Sequence, residues 1–214
     1  MFYILLTIVF IPFFIIYPCR IVGRKNIPKK GRMILAPNHQ TLNDPIIIAH
    51  RLASRRRFRF MSKAPLFKKK WADKFLRSLG AYPVDNKNPN GDINAVKTTL
   101  SHLKNDRAVC IFPEGARLKT SESNQVKNGV AMFALKTNSP IIPAYFIKKT
   151  NAFVFNKLLI GKPIELYNME EFKDKKIDKE LLDKASEIIK NEIHKLYKDY
   201  LQKKQDKKLS KKHK

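Results

Sequence analysis

The sequence predicts a single α/β domain, a mixed or largely parallel sheet with flanking helices, preceded by an apolar N-terminal membrane helix. Three observations predict it. Between residue 31 and about residue 166, short β-rich apolar runs alternate with segments of helical periodicity, the pattern of a layered α/β domain. Residues 1–19 hold no charged side chain. A chain of 214 residues is long enough for one domain with a real core and too short for two domains plus a membrane segment. The resulting division is an anchor or interfacial helix over 1–19, a catalytic domain over 20–201, and a basic disordered tail over 202–214.

As a helix, residues 1–19 would reach roughly 28 Å at 1.5 Å per residue, against a hydrocarbon core of about 30 Å. Three placements stay open: a spanning signal anchor, a helix lying in one leaflet, and a buried element of the domain. The run lacks a basic start and a small-x-small end, which argues against a cleaved signal. Arg20, Arg24, Lys25, Lys29 and Lys30 follow it, so the positive-inside tendency places the catalytic domain on the cytoplasmic side of the membrane.

Strands are expected near 33–36, 58–61, 81–84, 108–112, 141–147 and 158–166. Asp44 followed by Pro45 and the apolar run 46–49 marks a helix start, with Asp44 as N-cap and Pro45 at the first helical position. Asp92 can cap a helix in which Ile93, Val96, Leu100 and Leu103 recur at helical spacing. A second, more apolar helix is expected near 130–135. From Leu181 to Tyr200 a long apolar stripe, capped by Asp178, is expected to cover the domain. Beyond Leu201 the chain reads QKKQDKKLSKKHK, with almost nothing to bury. It is either a solubilising tail or a clamp on anionic lipid, where each Lys contributes about 1 kcal/mol.

Lys plus Arg number 44 against 18 Asp plus Glu, a formal net charge of +26, which points to a polyanionic partner: nucleic acid, an anionic bilayer or an acidic protein. Two cysteines make no disulfide framework. Neither G-x-G-x-x-G nor G-x-x-x-x-G-K-[ST] occurs, and there is no H-E-x-x-H, so nucleotide-driven chemistry and metal hydrolysis lose ground. No metal is expected.

The densest polar cluster, Asn38-His39-Gln40-Thr41-Leu42-Asn43-Asp44, leaves the first predicted strand, where α/β sheets place their sites. A loop of this length can fold His39 back so that one ring nitrogen meets Asp44 and the other faces a substrate hydroxyl. That pair is the base-and-orienter half of a catalytic triad. No G-x-S-x-G elbow is present, and Cys110 sits in an apolar run that suits an inert core thiol. The substrate's own hydroxyl is then the nucleophile. A second cluster, Phe112-Pro113-Glu114-Gly115-Ala116-Arg117, also follows a β-like run; Gly115 permits close backbone approach and the Arg117 fork suits phosphate oxygens. An ordinary strand-to-loop turn with a surface Glu–Arg pair would read the same way. Read alone, the stretches 60–86 and 140–145 look like scaffold.

Asn38-His39-x-x-x-x-Asp44, Gly80-Ala81-x-Pro83-Val84-Asp85, Phe112-Pro113-Glu114-Gly115-x-Arg117 and Ile142-Pro143 stand in the order and approximate spacing of four sequence blocks. Together they resemble the glycerolipid acyltransferase family, over roughly residues 23–146. The resemblance implies a membrane enzyme that acylates a lysophospholipid, with His39 and Asp44 as the catalytic pair and Glu114, Gly115 and Arg117 holding the acceptor's glycerol phosphate. By the same analogy Lys63 lies on the phosphate side. Asn86 stands where the second block normally ends in Arg, and Ala116 and Leu118 replace the usual Thr and Ser around Arg117. Lys87 is the cation next to that gap.

The implied partners are membrane phospholipids, the lysophospholipid acceptor, and acyl-CoA or an acidic acyl carrier protein as donor, with no further cofactor. Acylation of glycerol 3-phosphate or another lysolipid is the alternative within enzymes. A rival outside them takes the run Arg55-Arg56-Arg57-Phe58-Arg59-Phe60 and the lysine tail as a nucleic-acid surface. The uncharged N-terminal segment speaks against it, and no nucleic-acid partner is expected.

Overall fold

The computed structural model describes residues 15–85, 92–114 and 128–212. In chain order the elements are β1 Cys19–Val22, β2 Met33–Pro37, α1 Asp44–Arg51, β3 Phe58–Lys63, α2 Lys70–Ser78 and β4 Ala81–Val84, then α3 Ile93–Lys104, β5 Ala108–Cys110, α4 Gly129–Thr137, β6 Ile141–Phe146, β7 Asn156–Ile160 and α5 Lys179–Lys212. The strands form one seven-stranded sheet in the order β1-β7-β6-β2-β5-β3-β4. Every neighbouring pair is parallel except β6 and β7.

Alternation along β2 splits the core into two layers. Met33 and Leu35 join Ile47, Phe58, Phe60 and Phe146 on one face. Ile34 and Ala36 face Ala131, Ala134, Ile189 and Ile193 on the other, so α4 and α5 cover that side. Pro83 is tolerated because β4 is an edge strand. Gly80 precedes it with φ 89°, and a Cβ there would collide with the carbonyl oxygen of Phe58. Only glycine allows that close approach.

Since β2 to β6 all run the same way, their C-terminal ends share one edge of the sheet, and β7 and β1, running oppositely, begin on it. Tyr197 stacks on Tyr145 with centroids 5.0 Å apart, and further on Lys157 Nζ donates to Tyr200 Oη at 3.2 Å. That order of contacts sends α5 toward the same edge.

Several expectations change. The apolar run does not end as a helix at Cys19: Cys19 is buried in β1, paired with Asn156, and the Pro18 carbonyl accepts the Asn156 N–H at 2.9 Å. The sheet therefore starts inside that run. Residues 1–14 lie outside the described residues, among which no helix is long and apolar enough to cross a membrane. The strand expected over 158–166 runs from Asn156 to Ile160, with one isolated bridge between Ile164 and Ile141. The strand expected over 108–112 stops at Cys110. Where a disordered tail is expected, α5 continues to Lys212. Extending a packed helix needs no new nucleus, Lys, Gln and Leu are good helix formers, and Gln202 Nε2 donates to Asp206 Oδ1 one turn on at 3.0 Å.

Candidate active site

The residue after β2, Asn38, is buried and clamps the end of that strand to the end of β6. Its Nδ2 donates to the Phe146 carbonyl at 3.2 Å and its Oδ1 accepts the Phe146 N–H at 2.7 Å. His39 thus leaves a fixed point. Five residues on, Asp44 opens α1, but it is not the N-cap, as the Asp-Pro signal suggests: Asn43 holds that position without a side-chain hydrogen bond.

The Asp44 carboxylate turns back instead, into the 39–41 turn. Oδ2 accepts the N–H groups of Gln40 and Thr41, each at 2.7 Å, and meets His39 Nδ1 at 3.1 Å. Oδ1 accepts the hydroxyls of Thr41 at 2.7 Å and of Thr150 at 3.2 Å. Burial pushes this carboxyl up, but the hydrogen bonds from His39, Thr41 and Gln40 outweigh it and hold Asp44 below its ordinary value. It is therefore ionised near neutrality, and an ionised acceptor requires a proton on His39 Nδ1. Nε2 is left as the basic nitrogen.

His39 is held from three sides. Its ring stacks on Phe112 at 4.1 Å, its backbone N–H donates to Glu114 Oε2 at 3.0 Å, and its side chain keeps 16% of its surface exposed. Phe112 and Glu114 reach it because the chain leaves the sheet after Cys110. Burial pushes the Glu114 carboxyl up, against the pull of the His39 N–H. Burial also pushes the Cys19 thiol up to about 11 and the Cys110 thiol well above its ordinary value, with the Asp44 charge adding to the effect at Cys110. Both thiols stay protonated, which suits core packing and not nucleophilic attack.

Of the sequence candidates, His39, Asp44 and Glu114 come together. Lys63 ends β3 on the same edge, exposed, two strands from β2 across β5, or roughly 10 Å at the usual strand spacing. Gly115, Arg117 and Lys87 lie outside the described residues.

Sequence reasoning missed Thr150 and Asn156. Both are buried; Asn156 Nδ2 donates to the Lys148 carbonyl at 2.7 Å and to Thr150 Oγ1 at 3.3 Å, which fixes the hydroxyl that reaches Asp44. They stand over a hundred residues from Asp44, with no local pattern to mark them. The arginine run also acquires a concrete role. Arg55 Nε donates to the Ile27 carbonyl at 2.7 Å, and Arg56 donates to the carbonyls of Lys29, Gly31 and Asp106. These guanidinium groups stitch the connection into β2 to the rest of the domain.

The acyltransferase family model matches residues 18–147. The chain is 31% identical over 150 residues to 1-acyl-sn-glycerol-3-phosphate acyltransferase of Bacillus subtilis, an alignment covering 68% of this chain and 73% of that one. It is 30% identical over 154 residues to the Streptococcus pneumoniae enzyme of the same name, covering 68% of this chain and 54% of the other. Among solved structures, the 1-acyl-sn-glycerophosphate acyltransferase PlsC of Thermotoga maritima superimposes with a TM-score of 0.58 at 25% identity, covering 83% of this chain and 71% of that one.

Proposed function

This chain belongs to the acyltransferase family, and from that premise we propose that it transfers a fatty acyl group from a thioester to the sn-2 hydroxyl of 1-acyl-glycerol-3-phosphate. The product is phosphatidic acid, for phospholipid synthesis. The observation that carries this reading is the His39–Asp44 pair, with its fully buried, hydrogen-bonded carboxylate and one ring nitrogen left for substrate.

In the proposed reaction His39 Nε2 takes the proton of the acceptor hydroxyl as its oxygen attacks the thioester carbonyl. Asp44 holds the tautomer and stabilises the imidazolium that forms. The new C–O bond closes as the C–S bond breaks, and the proton on His39 passes to the departing thiolate. The donor is acyl-CoA or acyl carrier protein, and the basic surface suits an acidic carrier. Arg117, Gly115 and Glu114 hold the glycerol phosphate, with Lys63 and Lys87 as further cations on the phosphate side. The enzyme works at the membrane, with its catalytic domain on the cytoplasmic side.

Purified protein incubated with a panel of acyl thioesters and lysolipids, read by mass spectrometry, tests the proposal. Phosphatidic acid from 1-acyl-glycerol-3-phosphate is expected. Acylation confined to glycerol 3-phosphate or to a lysolipid without a free phosphate would overturn the acceptor, and Asn86 and Ala116 mark where such a change would originate.

A further inference from the structure

The edge that holds His39 exposes apolar surface that the chemistry does not use. Leu42 lies in the His39–Asp44 turn, Leu66 and Trp71 follow the end of β3, and Phe153 and Phe155 precede β7; Trp71 is 70% exposed and Phe153 77%. Ile15, also exposed, sits beside them, because β1 enters the sheet from this edge and the Ile16 carbonyl accepts the Phe153 N–H at 2.6 Å. Outside α5, every exposed large apolar side chain among the described residues except Val22 belongs to this edge.

Two features separate this from scattered surface apolars. Phe153 has φ 58°, a left-handed conformation that bulky L-residues avoid, and it is held there with its ring in solvent. The flanking charge is strongly basic, and Asp73, the acidic residue nearest Trp71 in sequence, is paired with Arg77. Lys148 and Lys149 precede the loop, Lys68, Lys69 and Lys70 precede Trp71, and neither 145–163 nor 54–72 contains Asp or Glu. Aromatic tips ringed by lysines, continuous with the end of the uncharged N-terminal segment, match an anionic lipid interface.

We propose that this edge is a membrane-docking face, with the 151–155 loop as its wedge: Phe153 and Phe155 enter the headgroup region of an anionic bilayer while the lysines meet lipid phosphates. The proposal rests on the reading that the acceptor is a membrane lipid, and it gives that lipid a route to His39 without leaving the interface. α5 extends over the same edge and carries Lys203, Lys204, Lys207 and Lys208 beyond its last packed turn.

Trp71 is the sole tryptophan and so reports on this face directly. Full-length protein is titrated with vesicles of phosphatidylglycerol and phosphatidylcholine in equal parts and followed by Trp71 emission. The emission should shift to the blue, and phosphatidylcholine brominated near the headgroup should quench it. In Phe153→Ser/Phe155→Ser the lipid concentration at half-saturation of that signal should rise roughly tenfold for each ring removed. A double variant whose Trp71 signal titrates like wild type would overturn the proposal, and so would a Trp71 that vesicles leave unchanged. The variant should still acylate a short-chain lysophosphatidate dispersed as monomers; loss of that activity would place the loop in the reaction chamber and overturn the docking role. If wild type acylates no lysophosphatidate while Trp71 follows the expected course, the docking face stands and the substrate assignment falls.

Discussion

Two loops on the same edge of the sheet depart from ordinary packing in opposite directions. The turn between β2 and α1 sinks a charged carboxylate, while the loop between β6 and β7 leaves phenylalanines in water. Burying an ion costs several kcal/mol unless its lone pairs are filled, and five groups fill those of Asp44. Leaving a Phe exposed forgoes about 1.5–3 kcal/mol of burial, and among the described residues Phe153 and Phe155 stay 77% and 53% exposed. The first departure is closed internally, and the second is open to an outside partner. Thr150 joins them: it leaves the second loop to hydrogen-bond the carboxylate of the first.

Removing the base breaks the first loop's task outright. His39→Ala should lower kcat by about 10²–10⁴-fold, the usual worth of a general base, and should cost about 1 kcal/mol or more of stability, because Asp44 loses a hydrogen bond and Phe112 its stacking partner. Steady-state acyl transfer and calorimetry on one preparation check both halves; turnover like wild type would end the mechanism. Asp44→Asn should be nearly as severe for turnover and far worse for the fold, about 3–5 kcal/mol, since the amide presents a donor to groups that themselves donate. Its pH signature has a definite sign. Because the Asp44 carboxyl is held low in the folded state, its stabilisation is fully present above its ordinary value and disappears as the pH falls through the folded value. Stability in acid should therefore flatten in Asp44→Asn. An unaltered acid slope in urea unfolding would assign the acid sensitivity to other groups.

The difference between the loops also governs what the sequence discloses. Central strands were legible because buried apolar runs such as Met33-Ile34-Leu35-Ala36 have few alternatives. β1 was hidden because Cys19–Val22 merges with a longer apolar run, in which no strand alternation stands out. α2 is short, nine residues, but Trp71, Phe75 and Leu76 against Lys70, Lys74 and Arg77 carry a clear helical period, so its range was there to be read. His39 was legible as a candidate base, since nothing in the local sequence calls for an imidazole in a strand-end turn. The meeting of His39 and Asp44 was legible from their five-residue spacing and is observed, but the N-cap reading was not sound, since Asp-Pro reads alike whether the carboxylate caps a helix or turns back. Thr150 and Asn156 act only through tertiary contact, and the carbonyls that occupy Arg55 and Arg56 are equally non-local.

Thr150→Val sharpens the comparison by cutting the link while keeping the shape. Asp44 retains four partners, so the cost should be about 1 kcal/mol in stability and a few-fold in kcat. Losing a hydrogen bond to the ionised form should move the Asp44 carboxyl up toward its ordinary value, shifting the acid limit of stability to higher pH. The Trp71 lipid titration should be unchanged. A weakened lipid response in this variant would mean that the two loops move as one unit.

The smallest effect belongs to Glu114, to which two tasks are ascribed: holding the acceptor, from the family resemblance, and fixing the His39 backbone, from the geometry. Glu114→Gln separates them because glutamine still offers an oxygen to the His39 N–H but gives up the charge. The His39 turn should keep its shape, and kcat should stay within about twofold, because the retained acceptor replaces one hydrogen bond of roughly 1 kcal/mol. If the carboxylate also touches the acceptor's glycerol, KM for lysophosphatidic acid should rise about fivefold, the same energy read as binding. Stability should move the other way. Burial pushes the Glu114 carboxyl up, so its contribution is fully present below its unfolded value and is lost as the pH rises through the folded one. At neutral pH the buried charge is therefore a net cost that glutamine removes. The variant should melt slightly higher than wild type there, with the gap closing in acid. A collapse in kcat at unchanged KM would show instead that the charge itself acts on His39, and the acceptor-holding role would pass to Arg117 and Lys63.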